Sequence, residues 1–225
     1  MEAKSVFITG GTGYVGRRLA ETLVARGHRV RVLARAAAVS RVAQGATTIV
    51  GNALDASSYV SAVRPGETIV HLVGTPHPSP AKAAEFQRVD RPSIEAAVAA
   101  ATRSGAGHLV YVSVAHPAPV MKAYIEVRMA GERAIAKAGL TATIIRPWYV
   151  LGPGHRWPVV LMPIYFLFGL IPSTRDGAKR LGLVTIDQMI TTLVAAVENP
   201  PAAGTIRVWG VPDIRASGRR AGLAL

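Results

Sequence analysis

The sequence predicts an α/β fold, a doubly wound parallel sheet covered by helices on both faces, and three observations carry that prediction. Short β-branched runs recur at residues 6–9, 30–33, 47–50, 68–72, 109–113 and 141–145. Alanine-rich stretches of helical character lie between most of them, at 14–26, 56–63, 81–103 and 120–138. The runs are apolar nearly throughout instead of alternating, as strands buried on both faces are. The β-α-β-α order is the one that gives a parallel sheet.

The first strand, Val6-Phe7-Ile8-Thr9, begins almost at Met1, with no basic stretch and apolar stretch ahead of it. No secretory signal is read, and a cytoplasmic location is expected. After Arg146 the rhythm breaks at Pro147, Gly152, Pro153, Gly154, Pro158, Pro163 and Pro172. A strand over 181–186, a helix over about 187–197 and a strand over 205–209 follow. The tail from Ile214 carries Arg215, Arg219 and Arg220 and is expected to fray. The resulting division is a nucleotide-binding domain over 1–150, a small substrate or lid region over 151–212 and a basic tail over 213–225. The most apolar stretch runs from Trp157 to Pro172 (WPVVLMPIYFLFGLIP). It is shorter than the ~20 residues of a spanning helix, and Pro163 interrupts it. It is expected to be a buried element or a lid over a pocket. The alternative is a surface for a peripheral membrane or protein partner.

At 225 residues the chain suits one domain with a small appendage. Its 50% hydrophobic and 17% charged residues exclude a disordered chain. Having no cysteine, it has no disulfides, thiolate metal sites or cysteine nucleophile. His71, His77, His108, His116 and His155 lack HxxxH or HExxH spacing, so no metal is expected. The net charge of +13 favours anionic partners. The arginines are scattered, without an aromatic-interleaved basic motif, so nucleic acid is not expected among them.

Residues 9–16 read Thr9-Gly10-Gly11-Thr12-Gly13-Tyr14-Val15-Gly16, between the first strand and the first helix. The spacing of Gly10, Gly13 and Gly16 answers three needs: a tight turn, close approach of a diphosphate to the backbone, and close helix–strand packing. The helix that follows offers free N–H groups and a partial positive charge. This is a Rossmann-type dinucleotide loop. The second strand ends in Arg35, and no acid occurs between Glu21 and Asp55. An acid there would bond a ribose 2′-hydroxyl and repel a 2′-phosphate, whereas Arg35, with Arg17 just after Gly16, can pair with that phosphate. NADP(H) is therefore preferred as cofactor, with NAD(H) as the alternative.

This loop resembles that of the short-chain dehydrogenase/reductases, as do Arg35, residues 51–55, Val70-His71-Leu72-Val73-Gly74, Tyr111-Val112-Ser113 and Ile145-Arg146-Pro147. The resemblance is to the extended and atypical branch, which includes epimerases and dehydratases, NADP sensors and an accessory subunit of respiratory complex I. It covers residues 4–150 well and the rest loosely. It implies that Asn52 and Ala53 lie beside the adenine, that Val73 and Gly74 pass under the riboses, and that Pro147 lies near the nicotinamide. Relatives often dimerise, so a homodimer is compatible with it.

In active relatives a Ser and the Tyr and Lys of YxxxK do the chemistry. A cation at i+4 from a tyrosine stabilises the phenolate, and the serine hydroxyl polarises the substrate oxygen. The matching positions here are Ser113, Tyr124 and Arg128. Arginine supplies charge and hydrogen bonds but cannot relay a proton. Asp90 stands where relatives often carry Asn, and Glu132 where they often carry a structural Glu. Two readings follow. One is an NADP(H)-dependent oxidoreductase acting on an apolar carbonyl, alkene or quinone-like substrate. The other is a non-catalytic dinucleotide-binding sensor, or a structural or assembly partner of a membrane respiratory or quinone-pathway complex.

Overall fold

The computed structural model describes residues 2–153 and 181–222. Its centre is a seven-stranded, wholly parallel sheet. The strands are β1 (Ser5–Thr9), β2 (Arg29–Ala34), β3 (Thr47–Val50), β4 (Thr68–His71), β5 (His108–Val112), β6 (Ala142–Ile145) and β9 (Ile206–Trp209), in the order β3-β2-β1-β4-β5-β6-β9. The remaining two, β7 (Tyr149–Leu151) and β8 (Leu183–Thr185), pair with each other in parallel. The strand β7 escapes the sequence reading because its three residues directly follow the Pro147 break.

Successive side chains on a strand point to opposite faces, and here each face has its own core. On one face Val6, Ile8, Val32 and Val70 pack with Leu19 and Leu23 of α1 (Tyr14–Ala25), and with Met189, Leu193 and Val197 of a helix over Ile186–Glu198. On the other face Phe7, Ile69, Leu109 and Tyr111 pack with Ile94 and Ala97 of α2 (Arg91–Ser104) and Ile135 of α3 (Lys122–Lys137). With the helix over Ile186–Glu198 as α4, its start is a capping box: Thr185 Oγ1 accepts from Gln188 N, and the Gln188 side chain accepts from Thr185 N.

Three expectations change. The stretch 56–63 forms two short 3₁₀ turns, Ala56–Ser58 and Val60–Ala62, instead of a helix. Residues 81–103 do not form one helix: a π-helical turn at Phe86–Asp90 precedes α2. Pro92 explains the interruption, since it has no N–H for the Arg88 carbonyl and its ring crowds it. The tail is not frayed from Ile214, because Val211–Gly222 is a helix (α5). Buried Val211 and Ile214 anchor it in the first core, and Arg215 donates to the Leu183 carbonyl at 2.7 and 2.9 Å. The apolar segment from Trp157 to Pro172, and residues 154–157 of the turn before it, lie outside the described residues. No described helix is long and apolar enough to cross a membrane.

Two buried histidines set an acid limit on stability. Burial, then the Arg128 charge, lowers the His71 pKa from 6.5 to about 3. Burial, then the Arg207 charge, lowers that of His108 to about 4. Below pH 6.5 the unfolded chain takes up these protons and the folded chain does not, so stability is full above that pH and is lost progressively towards pH 3. The urea midpoint should therefore fall steadily from pH 7 to pH 4. His108→Gln should flatten that slope; an unchanged slope would contradict the assignment.

Candidate functional site

The glycine loop and the ends of β2, β3, β4, β5 and β6 all meet at the carboxyl edge of the sheet. From β1 the chain winds outward to β2 and β3, then returns to β4 on the other flank of β1. Thr9 is level with Leu33 on one side and His71 on the other. A crevice opens at such a reversal, because the connecting helices leave on opposite faces.

Gly10 has φ +77°, and a Cβ there would lie 2.8–2.9 Å from the Leu72–Val73 peptide unit. A side chain at Gly11 would strike Val32, and one at Gly16 would overlap the Gly10 carbonyl. At Gly13 the only described atom a Cβ would approach within 4 Å is that same carbonyl, at 3.2 Å. Gly13 is the N-cap of α1, which has no side-chain cap and no acid in its first turn. Thr12, Tyr14 and Val15 are half-buried, and Arg18 covers the Tyr14 ring at 4.2 Å. The start of α1 thus offers N–H groups without side-chain competition in a cradle held open by glycine. That fits the diphosphate of a nicotinamide dinucleotide.

Arg35 is exposed beyond β2, and its side chain makes no ion pair among the described residues. Arg17 is exposed and donates to Glu21 at 2.9 Å. Asn52 is exposed after β3, where Oδ1 accepts from Leu54 N at 3.0 Å and its own N–H donates to Ser58 Oγ at 2.9 Å. Ala53 packs beneath against the second core.

Beneath the ends of β4 and β5 lies a buried ion pair. Arg128 Nη2 donates to Asp90 Oδ1 at 2.6 Å, and its Nη1 donates to the carbonyls of Val112 at 3.1 Å and Val73 at 3.4 Å. Asp90 Oδ2 accepts from Thr75 N at 3.0 Å and Thr75 Oγ1 at 2.6 Å. A side chain at Gly74 would collide with the guanidinium, so glycine is required there. Burial works against the Arg128 charge, but Tyr124, Tyr111 and Asp90 outweigh it and raise its pKa. The guanidinium carbon lies 5.0 Å from the Tyr124 ring centroid, and Phe86 of the π-helical turn packs on the ring's side at 4.9 Å. The structure therefore brings Tyr124 and Arg128 together at the crevice.

Ser113 does not join them by a hydrogen bond. It is 3% exposed, and its hydroxyl donates to Glu132 Oε1 at 2.6 Å. Glu132 also accepts two bonds from Arg146 and lies 3.5 Å from His116. Pro147 is buried after β6, with its carbonyl accepting from Ala115 N at 2.8 Å. The sequence reading missed Thr75 and counted Asp90 and Arg128 as separate departures. Their opposite charges were the signal that they answer each other. Among the described residues no cluster suited to a metal ion occurs.

A parallel sheet with a glycine cradle at its point of reversal defines a dinucleotide-binding protein of the Rossmann type. The chain belongs to the NAD(P)H-binding family, whose model matches residues 10–157. It is 28% identical over 198 residues to a ceramide reductase of Caulobacter vibrioides, covering 87% of this chain and 61% of that protein. It is 30% identical over 231 aligned positions to a 3-diazoavenalumate denitrifying reductase of a Streptomyces species, covering 90% and 75%. The crystal structure of the Bordetella bronchiseptica enzyme WbmH in complex with NAD+ shares the fold with a TM-score of 0.66 at 23% identity, covering 88% of this chain and 73% of that one.

The ion pair makes a stability prediction. Removing one partner strands a buried charge, at about 3–5 kcal/mol. Asp90→Leu and Arg128→Met should each be destabilising by that order in urea unfolding, and the double variant by less than their sum. Additive losses would show that the two side chains do not depend on each other.

Proposed function

We propose that the protein is an NADP(H)-dependent oxidoreductase acting on an apolar carbonyl, alkene or quinone-like substrate. The observation that carries this reading is that Tyr124 faces Arg128, whose guanidinium bonds the carbonyls of Val73, just past β4, and Val112, the last residue of β5. A nicotinamide held in the crevice would supply the hydride that reduces the substrate carbon. Tyr124 gives its hydroxyl proton to the substrate oxygen, so that a carbonyl becomes an alcohol, and water returns the proton. Arg128 backs the phenol electrostatically and does not relay protons. Thr9, Gly10, Gly11, Thr12, Gly13, Tyr14, Val15 and Gly16 hold the diphosphate; Arg35 and Arg17 receive the 2′-phosphate. Asn52 and Ala53 flank the adenine, Val73 and Gly74 the riboses, and Pro147 the nicotinamide. The two reductase-named relatives support reduction as the direction, and the ceramide of one supports an apolar substrate.

A second reading, a dinucleotide-binding sensor or assembly partner without turnover, is favoured by one observation. Ser113 is committed to Glu132, and both Nη atoms of Arg128 are committed to Asp90 and backbone carbonyls. Titration with NADPH, NADP, NADH and NAD should show tighter binding of the phosphorylated forms, and Arg35→Ala should weaken NADPH at least tenfold while leaving NADH within about threefold, an order expected for one charge-assisted contact. A panel of apolar carbonyls and quinones should then oxidise bound NADPH, with Tyr124→Phe lowering kcat at least a hundredfold, the usual scale of a lost acid–base group. Tight binding with no turnover on any panel member selects the second reading.

A further inference from the structure

A buried train of hydrogen bonds runs beneath the crevice from the glycine loop to the arginine behind Tyr124. Thr9, the last residue of β1 and the first of the loop, has Oγ1 2.8 Å from His71 Nδ1. The other ring nitrogen, Nε2, is 3.3 Å from Ser93 Oγ, and Ser93 Oγ donates to the Asp90 carbonyl at 2.8 Å. Asp90 holds Arg128 through its carboxylate. Thr9, His71, Ser93, Asp90 and Arg128 are all between 0% and 5% exposed. One arrangement of protons satisfies the train: Thr9 donates to Nδ1, and Nε2–H donates to Ser93. Burial and the Arg128 charge keep the ring neutral, as this arrangement requires.

We propose that His71 is a positioning residue: it ties the glycine loop to the Asp90–Arg128 pair, so that occupation of the loop is felt at the Tyr124 ring. Three placements support this. His71 ends β4, the strand whose continuation, the Leu72–Val73 peptide unit, abuts Gly10. Ser93 sits in the first turn of α2, directly after the π-helical turn that supplies both Asp90 and Phe86. Phe86 packs on the Tyr124 ring, and Asp90 holds the Arg128 guanidinium that faces the ring. A shift of Thr9 on diphosphate binding would be carried through these buried, hydrogen-bonded groups to the arginine that faces Tyr124.

The importance this gives Tyr124 rests on the oxidoreductase reading, but the coupling can be measured without turnover. The full chain is labelled with 13Cζ-tyrosine, and Tyr124 is assigned by the resonance missing in Tyr124→Phe. Saturating NADPH should shift the Tyr124 resonance in the wild type. Thr9→Val and Ser93→Ala each cut the train, and each should reduce that shift at least threefold at saturation. The double variant should lose no more than either single one. Thr9→Ser and Ser93→Thr keep the hydroxyl and should restore the shift, which separates positioning from a general loss of packing. An undiminished shift in both single variants, or reductions that multiply in the double one, overturns the proposal. Full turnover by Tyr124→Phe, with the NADPH-induced shift present in the wild type and lost in Thr9→Val and Ser93→Ala, would overturn the oxidoreductase role of Tyr124 and leave the coupling standing. No saturable binding of any nicotinamide dinucleotide would overturn both.

Discussion

Gly10 lies so close to the Leu72–Val73 peptide unit that no side chain can come between them, and the rest of the site depends on that contact. It joins the turn leaving β1 to the chain leaving β4, across the line where the sheet reverses direction. With the two held together, the start of α1 faces the crevice, and Gly16 lets that helix close down on the Gly10 carbonyl. The cradle is built of backbone, so its requirement is the absence of side chains. That is why it tolerates little variation and is easily seen in a sequence.

Below the cradle the logic is one of charge. A buried arginine is costly unless its charge is answered and its donors are used, and for Arg128 Nε alone of the three guanidinium nitrogens has no partner among the described residues. Asp90 answers the charge of Arg128, and the Val73 and Val112 carbonyls take further donors at the two strand ends that frame the crevice. Arg128 faces the Tyr124 ring, and Phe86 packs on that ring as well. The residues at positions 90 and 128, which read as unrelated along the chain, are therefore the two halves of one buried ion pair. Ser113, by contrast, belongs to a neighbouring cluster with Glu132 and Arg146, which ties β5, α3 and β6 together.

The parallel sheet, its strands and the glycine cradle were legible in the chain because they rest on local signals. Buried strands leave continuous apolar runs, and a diphosphate loop leaves glycines at set spacing. The long stretch over 81–103 misled because alanine-rich composition reads as helix, while a single proline at position 92 changes the turn ahead of it. The tail misled for the opposite reason. Its arginines read as solvated, yet two apolar residues and a carbonyl on a distant strand are enough to order it.

Sequence by itself determined the fold class, the dinucleotide cradle and the absence of an acid after β2, since each follows from which residue types neighbour one another along the chain. Only the tertiary structure decided which polar groups face each other. Asp90 and Arg128 are 38 residues apart, Thr9 and His71 62 apart, and Ser113 and Glu132 19 apart. No periodicity encodes such pairings. They exist because the sheet brings strand ends and helix turns to one edge, where a buried charge or hydroxyl must find its partner or forfeit its hydration.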